Sequence, residues 1–217
     1  MALSGADGRL TQEACCRLTM CDMGLLVGIC DHLGWAVAVT ATRDHDVVDR
    51  RRIDLLEPDM PNMPIHHPKQ GLSLDEIEAL VTLVRASAES ATTASLDALT
   101  ATLPGAVMSL HLRALPTNFP TDIAVQLRPP HEAQADAIMY RQVLAAIATA
   151  RGWAVRFYDA KTVEADAAAI LAARADEVLR GPRGRLGPPW TKDHRTALAA
   201  TVLTAAEATT IARAADD

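Results

Sequence analysis

The sequence predicts an α/β fold built on one mixed five-stranded sheet with helices on both faces. Two observations carry this prediction. Early in the chain, short segments rich in β-forming residues are joined by tight turns, which favours an antiparallel meander. Further along, helical segments alternate with single strands, and right-handed crossovers make such strands parallel. The element order is β-β-β-α-β-α-β-α-α, so three antiparallel strands lead into two parallel ones.

The composition limits the class of protein. Of the 217 residues, 49% are hydrophobic and 22% are charged, which is too apolar for a disordered chain and enough for one core. No stretch approaches about 18 uninterrupted apolar residues, so no membrane span is expected. The formal net charge is −6, so a nucleic-acid partner would need a local basic patch or a metal ion. We expect a polar tail over residues 1–22 and a single domain over residues 23–217.

The cysteines bear on both metal binding and compartment. They are Cys15, Cys16, Cys21 and Cys30. None forms a C-x-x-C pair, so a zinc ribbon is not expected. The first residues lack the basic segment and apolar core that are typical of a signal peptide. We therefore expect a cytoplasmic protein with free thiols.

The first three strands are predicted at residues 24–31, 35–42 and 47–56. The first is a short apolar run, typical of a buried strand, and the second is rich in β-forming residues. The third has a polar face. Turns at residues 32–34 and 43–46 connect them, which makes the three a meander.

A proline-rich loop at residues 57–71 leads to the first helix. Ser73 is its expected N-cap and Glu76 occupies the capping-box position, while Pro104 and Gly105 follow its expected end near residue 103. The remaining elements are a strand at 106–115, a polar connection at 116–130, a helix at 131–151, a strand at 153–158, a helix at 161–180, a glycine-rich break at 181–189 and a helix at 191–214.

Three segments of the sequence form a motif pattern in a fixed order. They are VGICD at residues 27–31, followed by GWAV at 34–37; YRQVL at 140–144, continuing to YDAK at 158–161; and KDHRTALA at 192–199. In that order they resemble the opening strand and turn, the helix, strand and loop, and the final helix of the RuvC-type Holliday-junction resolvases of the ribonuclease H-like superfold. The resemblance implies a ribonuclease H-like sheet and a metal-dependent nuclease that acts on structured DNA or RNA.

The resemblance also implies a set of metal-binding side chains. Asp31 matches an acidic position on the first strand, and Asp193 matches one on the final helix. The fourth strand offers His111 where the family has an acid, and Thr196 stands a turn after Asp193. Two of the four acidic positions are therefore filled by other residues. With His194 beside Asp193, the set combines carboxylates with imidazoles.

The candidate catalytic residues are Asp31, Asp193 and His194, and the candidate metal ligands are Asp31, His111, Asp193 and His194. A phosphodiester nuclease needs hard oxygen ligands for Mg²⁺ or Mn²⁺, whereas imidazole also suits Zn²⁺ and other transition metals. A simpler role for Asp31 is a hydrogen bond to the following turn, and a simpler role for Asp193 is a favourable charge at a helix start. His32 and one of the adjacent His66 and His67 are further candidates, although loop histidines are more often solvated.

Six basic residues are candidates for contacts with nucleic-acid phosphates. They are Arg50, Arg52, Lys161, Arg183, Arg185 and Lys192. The first two belong to a run that more often alternates across an exposed strand, and the glycine-rich break is otherwise a flexible connector.

Three functions follow from these patterns. The first is a metal-dependent nuclease. The second is a module that keeps the fold, lacks catalysis and binds nucleic acid or a protein partner. The third is a hydrolase that uses a His/Asp set around a single metal ion. The sequence has no P-loop, no G-x-S-x-G elbow and no dinucleotide fingerprint. The long first helix and the resolvase resemblance also lead us to expect a homodimer.

Overall fold

A five-stranded mixed sheet organises the part of the chain that the structure, a computed structural model, describes: residues 24–68 and 70–215, with side chains to residue 203. The strands are β1 (Leu25–Asp31), β2 (Trp35–Ala41), β3 (Val47–Asp54), β4 (Val107–Arg113) and β5 (Ala154–Tyr158). Their order is β3-β2-β1-β4-β5; β1 and β3 are antiparallel to β2, and β4 is parallel to β1 and β5. The mixed sheet predicted from the sequence is confirmed. The tail at 1–22 lies outside the described residues, and the single domain over 23–217 stays a prediction.

Helices cover both faces of this sheet, as predicted. They are α1 (Leu74–Thr100), α2 (Ile123–Gln126), α3 (Glu132–Ala150), α4 (Val163–Leu171), α5 (Ala175–Leu179), α6 (Pro182–Leu186) and α7 (Lys192–Ala215). Helices α1 and α3 pack on one face, and α4 and α7 pack on the other. In the described part of the chain, no helix is both long and apolar enough to cross a membrane.

Strand alternation divides the core into two clusters, one on each face. On β1, Val27 and Ile29 pack towards α1 and α3, whereas Cys30 packs among residues of α4 and α7. All of β1 is buried, because it has a strand on each side and helices on both faces. Successive side chains point to opposite faces. Asp31 therefore points to the α3 side, while Cys30 and His32 belong to the α7 side.

Helix α7 lies unusually close to β1, and this contact fixes its position. A Cβ atom on Gly28 would lie 1.8 Å from the carbonyl oxygen of Ala197, so only glycine fits at this point of the strand. Ala197 is buried at this contact and has a small side chain that permits it. Asp193 precedes Ala197 by about one helical turn. The close contact thus places Asp193 beside the end of β1.

The first helix begins as the sequence predicts. The Ser73 side chain accepts from the Glu76 main-chain N–H, and the Glu76 carboxylate accepts from the Ser73 N–H at 2.7 Å. These two hydrogen bonds complete the capping box. The Ser73 main-chain N–H and hydroxyl both donate to the Glu76 carboxylate and lower its pKa. Because a capping box is a contact between residues close in sequence, its pattern was sufficient to locate the start of α1.

The single helix predicted over residues 161–180 is wrong in its middle. Helix α4 ends at Leu171, a 3₁₀ turn covers Ala172–Arg174, and α5 follows. Ala172 has a φ of 50°, in the left-handed region, and this conformation takes the chain out of the α-helix. Leu171 and Val178, on either side of the break, are both buried in the core next to α7. The glycine-rich segment at 181–189, predicted as a break, contains the short helix α6.

Candidate functional site

Polar side chains gather at one edge of the sheet, where the parallel strands β1, β4 and β5 all end. In open α/β sheets this carboxyl edge is the usual location of binding sites. Cys30, His32 and Asp193 meet on the α7 side of the edge. Asp31 is held by Arg141 on the α3 side. The two groups have different chemistry.

Asp193 links the cysteine and the histidine of the α7 side. Its Oδ2 lies 3.1 Å from His32 Nε2, and the Cys30 thiol donates to its Oδ1 at 3.7 Å. One thiol sulfur, one imidazole nitrogen and one carboxylate oxygen all lie within 4.8 Å of one another. A sulfur, a nitrogen and an oxygen donor together can bind a metal ion. Within the described residues, this is the group of three His, Cys, Asp or Glu side chains that lie close enough to do so.

The electrostatics of this cluster keep the thiol protonated when no cation is present. Burial and the negative charge of Asp193 raise the pKa of Cys30 to about 12. The side chains of His32 and Asp193 are 37% and 33% exposed, so the cluster is open to solvent on one side. A neutral thiol, a carboxylate and a histidine therefore meet at the surface of the sheet edge.

The turn between β1 and β2 fixes the orientation of His32. Its imidazole stacks on the Trp35 ring with centroids 4.0 Å apart and an interplanar angle of 10°. Its main-chain N–H donates to the Trp35 carbonyl oxygen at 2.9 Å. The guanidinium of Arg52 also lies over Trp35, 4.4 Å from the ring centroid. Stacking and a tight turn together hold the imidazole towards Asp193.

The Asp31 carboxylate is buried and paired with arginine side chains. Its Oδ2 accepts from Arg141 Nε at 2.7 Å, and its Oδ1 lies 3.9 Å from Arg113 Nε. The side chain of Asp31 is 1% exposed and that of Arg141 is 10% exposed. Arg141 also donates to the carbonyl oxygen of Ala114. The negative charge of Asp31 is thus balanced within the protein.

His111 is buried between β4 and α7. Its Nε2 is 2.8 Å from Ser109 Oγ, and it also forms a hydrogen bond to the backbone of Ala200. Burial lowers its pKa to about 4, so the ring is neutral at physiological pH. These contacts hold the ring in the interface between the sheet and α7.

His194 lies in the first turn of α7, directly after Asp193, and points elsewhere. Its Nδ1 accepts from the Thr191 main-chain N–H at 3.2 Å and lies 2.9 Å from Thr191 Oγ1. Its ring lies beside Trp190, with centroids 5.4 Å apart. Burial, followed by the charge of Arg50, lowers its pKa. The imidazole therefore supports the start of α7.

Within the described residues, Asp193 is the only one of the four candidate ligands that belongs to a group of three metal-compatible side chains. Asp31, His111 and His194 do not belong to it. Asp31 lies on the opposite side of the strand, because adjacent residues of a strand point to opposite faces. The partners of Asp193 are Cys30 and His32. The sequence alone makes His32 only a further candidate ligand and Cys30 only a free thiol. Their i, i+2 spacing was the available signal, since it places both side chains on the same face.

The six candidate phosphate contacts are spread over the molecule. Arg50 donates to the carbonyl oxygens of Leu186, Gly187 and Pro189, so it holds the 181–189 segment against β3. Arg185 lies 3.7 Å from Asp46, in the turn at the opposite edge of the sheet. Of the six candidates, three are exposed near the carboxyl edge: Arg52, Lys161 and Lys192. Arg183 is exposed on α6.

The comparisons with known proteins give a structural likeness. No protein-family model matches the chain, and no curated protein matches it. Among solved structures, the chain is similar to T. thermophilus RuvC in complex with Holliday junction substrate, with a TM-score of 0.44 and 15% sequence identity. The match covers 86% of this chain and 96% of that chain.

Proposed function

We propose that this chain binds structured nucleic acid at the carboxyl edge of its sheet and does not cleave it by a two-metal mechanism. The observation that argues against cleavage is the buried ion pair between Asp31 and Arg141, with its 2.7 Å contact. A carboxylate that balances a buried guanidinium cannot leave it for a metal ion without a large cost in free energy. The candidate ligand on β1 therefore has a structural role.

The residues at this edge do not fit the Mg²⁺ or Mn²⁺ ions of the metal-dependent nuclease that the resolvase resemblance implies. Mg²⁺ requires oxygen ligands in near-octahedral geometry. The Asp31 carboxylate forms an ion pair with Arg141. Strand β4 provides the imidazole of His111, which is already hydrogen-bonded, and the neighbours of Asp193 are a thiol and an imidazole. This donor set lacks the carboxylates that would hold two hard cations.

Cationic side chains on the carboxyl edge supply the proposed contacts with phosphates. Lys161 follows β5, Lys192 begins α7, and Arg52 lies near the end of β3. All three are exposed. The Arg113 side chain, at the end of β4, is 36% exposed. Because the net charge is −6, binding must be confined to this local group and must weaken steeply with salt.

Fluorescence anisotropy with labelled DNA tests this surface. We expect a four-way junction to bind the wild-type chain, and the double variant Lys161→Glu, Lys192→Glu to bind more weakly. The slope of log affinity against log salt should fall by about one for each phosphate contact removed. Arg43→Glu is the control for a reversed charge away from this surface, because Arg43 is exposed in the turn at the opposite edge of the sheet.

Two results would overturn the proposal. The first is equal binding by the double variant and the Arg43→Glu control, which would remove the carboxyl edge from the interaction. The second is cleavage of the junction in Mg²⁺ or Mn²⁺ that is lost in Asp31→Asn, in a variant that circular dichroism shows to be folded. Such cleavage would give Asp31 a catalytic role.

A hydrolase with a single metal ion is the second candidate function. The convergence of Cys30, His32 and Asp193 favours it. Hydrolysis of an activated phosphodiester in the presence of Zn²⁺, lost in Asp193→Asn and retained in His67→Asn, would support it over simple binding.

The cytoplasmic location and the homodimer expected from the sequence also stay predictions.

A further inference from the structure

The cluster of Cys30, His32 and Asp193 has no part in the proposed contacts with nucleic acid. We propose that these three side chains form a binding site for one transition-metal ion of the zinc class. The site differs from the carboxylate set that the resemblance implied, because it lies on the α7 side of β1 and contains a thiol. The proposal rests on geometry and donor chemistry, and it does not depend on nucleic-acid binding.

Two separations within the cluster are close to those expected around a single ion. Zinc binds sulfur at about 2.3 Å and nitrogen or oxygen at about 2.0–2.2 Å. At tetrahedral angles these lengths place a sulfur and an oxygen ligand roughly 3.6 Å apart, and a nitrogen and an oxygen ligand roughly 3.4 Å apart. The observed separations from the two Asp193 oxygens are 3.7 Å to Cys30 Sγ and 3.1 Å to His32 Nε2. The ligand atoms of all three side chains lie within 4.8 Å of one another, so an ion would need to draw the thiol and the imidazole closer together.

Rigid elements hold all three ligands in place before an ion binds. Cys30 lies on the central strand of the sheet, and His32 is stacked on Trp35. Asp193 lies in the first turn of α7, whose approach to β1 is set by the contact between Gly28 and Ala197. Ligands fixed in this way lose little conformational freedom on binding, so more of the binding free energy is retained.

The donor types select the kind of metal. Thiolate and imidazole favour zinc and similar transition metals, whereas Mg²⁺ and Ca²⁺ prefer oxygen ligands. A bound dication would deprotonate the thiol, so binding releases a proton. Three protein ligands with one side open to solvent is the arrangement of catalytic zinc sites, in which water or a substrate completes the coordination. The partial exposure of His32 and Asp193 provides that open side.

Cobalt is the probe that tests the site, because Co²⁺ replaces zinc and its bond to a thiolate gives a charge-transfer absorption band. The protein is the full chain with Cys15, Cys16 and Cys21 changed to serine, which leaves Cys30 as the sole thiol. It is freed of metal by chelation and titrated without oxygen. We expect one equivalent of Co²⁺ to produce the thiolate band and Zn²⁺ to remove it by competition.

Three further variants separate the site from other ligands. Cys30→Ser should abolish the band. His32→Asn and Asp193→Asn should weaken binding by more than the roughly 10- to 100-fold that follows loss of a group hydrogen-bonded to a metal ligand. His67→Asn is the control, since His67 is an exposed loop histidine outside the cluster, and it should leave affinity unchanged.

The thiolate band decides the proposal. Its absence from the Cys30-only protein would overturn the site, as would its full strength in His32→Asn and Asp193→Asn. Circular dichroism of each variant before titration shows whether it is folded. If Cys30→Ser does not fold, the other two variants retain the thiol and still test the ligand set.

Discussion

At the scale of single residues, Asp31 shows how a charged neighbour can decide the role of a side chain. Its carboxylate is 1% exposed and lies against Arg141, whose side chain is also largely buried. Its Oδ1 and the Nε of Arg113 face each other at 3.9 Å, and neither atom has a hydrogen-bond partner among the described residues. The pair is stable only while both charges are present, because either one alone would be a buried and uncompensated charge.

Asp31→Asn should therefore act mainly on stability. Removing one partner of a buried ion pair typically costs about 3–5 kcal/mol, and we expect a loss of that size in urea unfolding. Asp54→Asn is the control, because its ion pair with Arg52 is exposed on both sides, and it should change stability by less than about 1 kcal/mol. Replacing Arg141 by leucine in the Asp31→Asn background should recover part of the loss. An Asp31→Asn protein as stable as the wild type would contradict the structural role of the pair.

At the scale of elements, the packing of α7 on β1 and β4 decides the chemistry of the residues between them. His111 lies in this interface with Ser109 and the backbone of Ala200 as hydrogen-bond partners. Burial lowers its pKa to about 4, against 6.5 for an ordinary histidine. The folded protein therefore resists a protonation that the unfolded chain accepts.

Stability should fall as the pH decreases from about 6.5 to 4. In this range the unfolded chain takes up a proton at His111 and the folded protein does not, so the difference favours unfolding. At about 1.4 kcal/mol per pKa unit, the loss attributable to His111 is about 3 kcal/mol, and it is complete below pH 4. Urea unfolding over this range measures it.

The variant His111→Gln isolates the contribution of this histidine. It should lose that part of the pH dependence, whereas His67→Gln, on the exposed loop, should follow the wild type. The same pH dependence in His111→Gln and in the wild type would show that other groups are responsible.

Elements differ in how far the sequence predicted them. The start of α1 was predicted from Ser73 and Glu76, because those two residues form the cap without help from the rest of the fold. The break after α4 was not, because an alanine-rich run has high helix propensity and the left-handed φ of Ala172 leaves no local signal. The role of Arg50 was also missed, since its three carbonyl acceptors lie far along the chain.

At the scale of the whole molecule, α1 presents an apolar surface that fits the homodimer we expect. Leu74 and Leu83 are exposed on this helix, at 41% and 57%. Beside them, a groove between α1 and the proline-rich loop is lined by Pro61, Pro64, Leu72 and Leu80. Exposed apolar surface of this kind is typical of interaction sites.

Leu83→Lys should therefore convert a dimer into a monomer, because a buried lysine at the interface carries an uncompensated charge. Light scattering should give twice the 23.2 kDa chain mass for the wild type and the chain mass for the variant. Val48→Lys, on the edge strand β3, is the control with a similarly exposed apolar residue and should leave the mass unchanged. A wild-type mass of one chain at micromolar concentration would exclude the dimer.

The sequence by itself determined the order of the strands and the long helices, the mixed sheet and the presence of chemically reactive residues at the end of β1. These follow from local patterns: alternation, capping, turn residues and the rule for crossover connections. It could also show that Cys30 and His32 share one face while Asp31 takes the other. Only the tertiary structure decided which of these faces meets Asp193, because that depends on where α7 packs. The approach of Ala197 to Gly28 joins Asp193 to the thiol and the imidazole, and Arg141 on the other face pairs with Asp31.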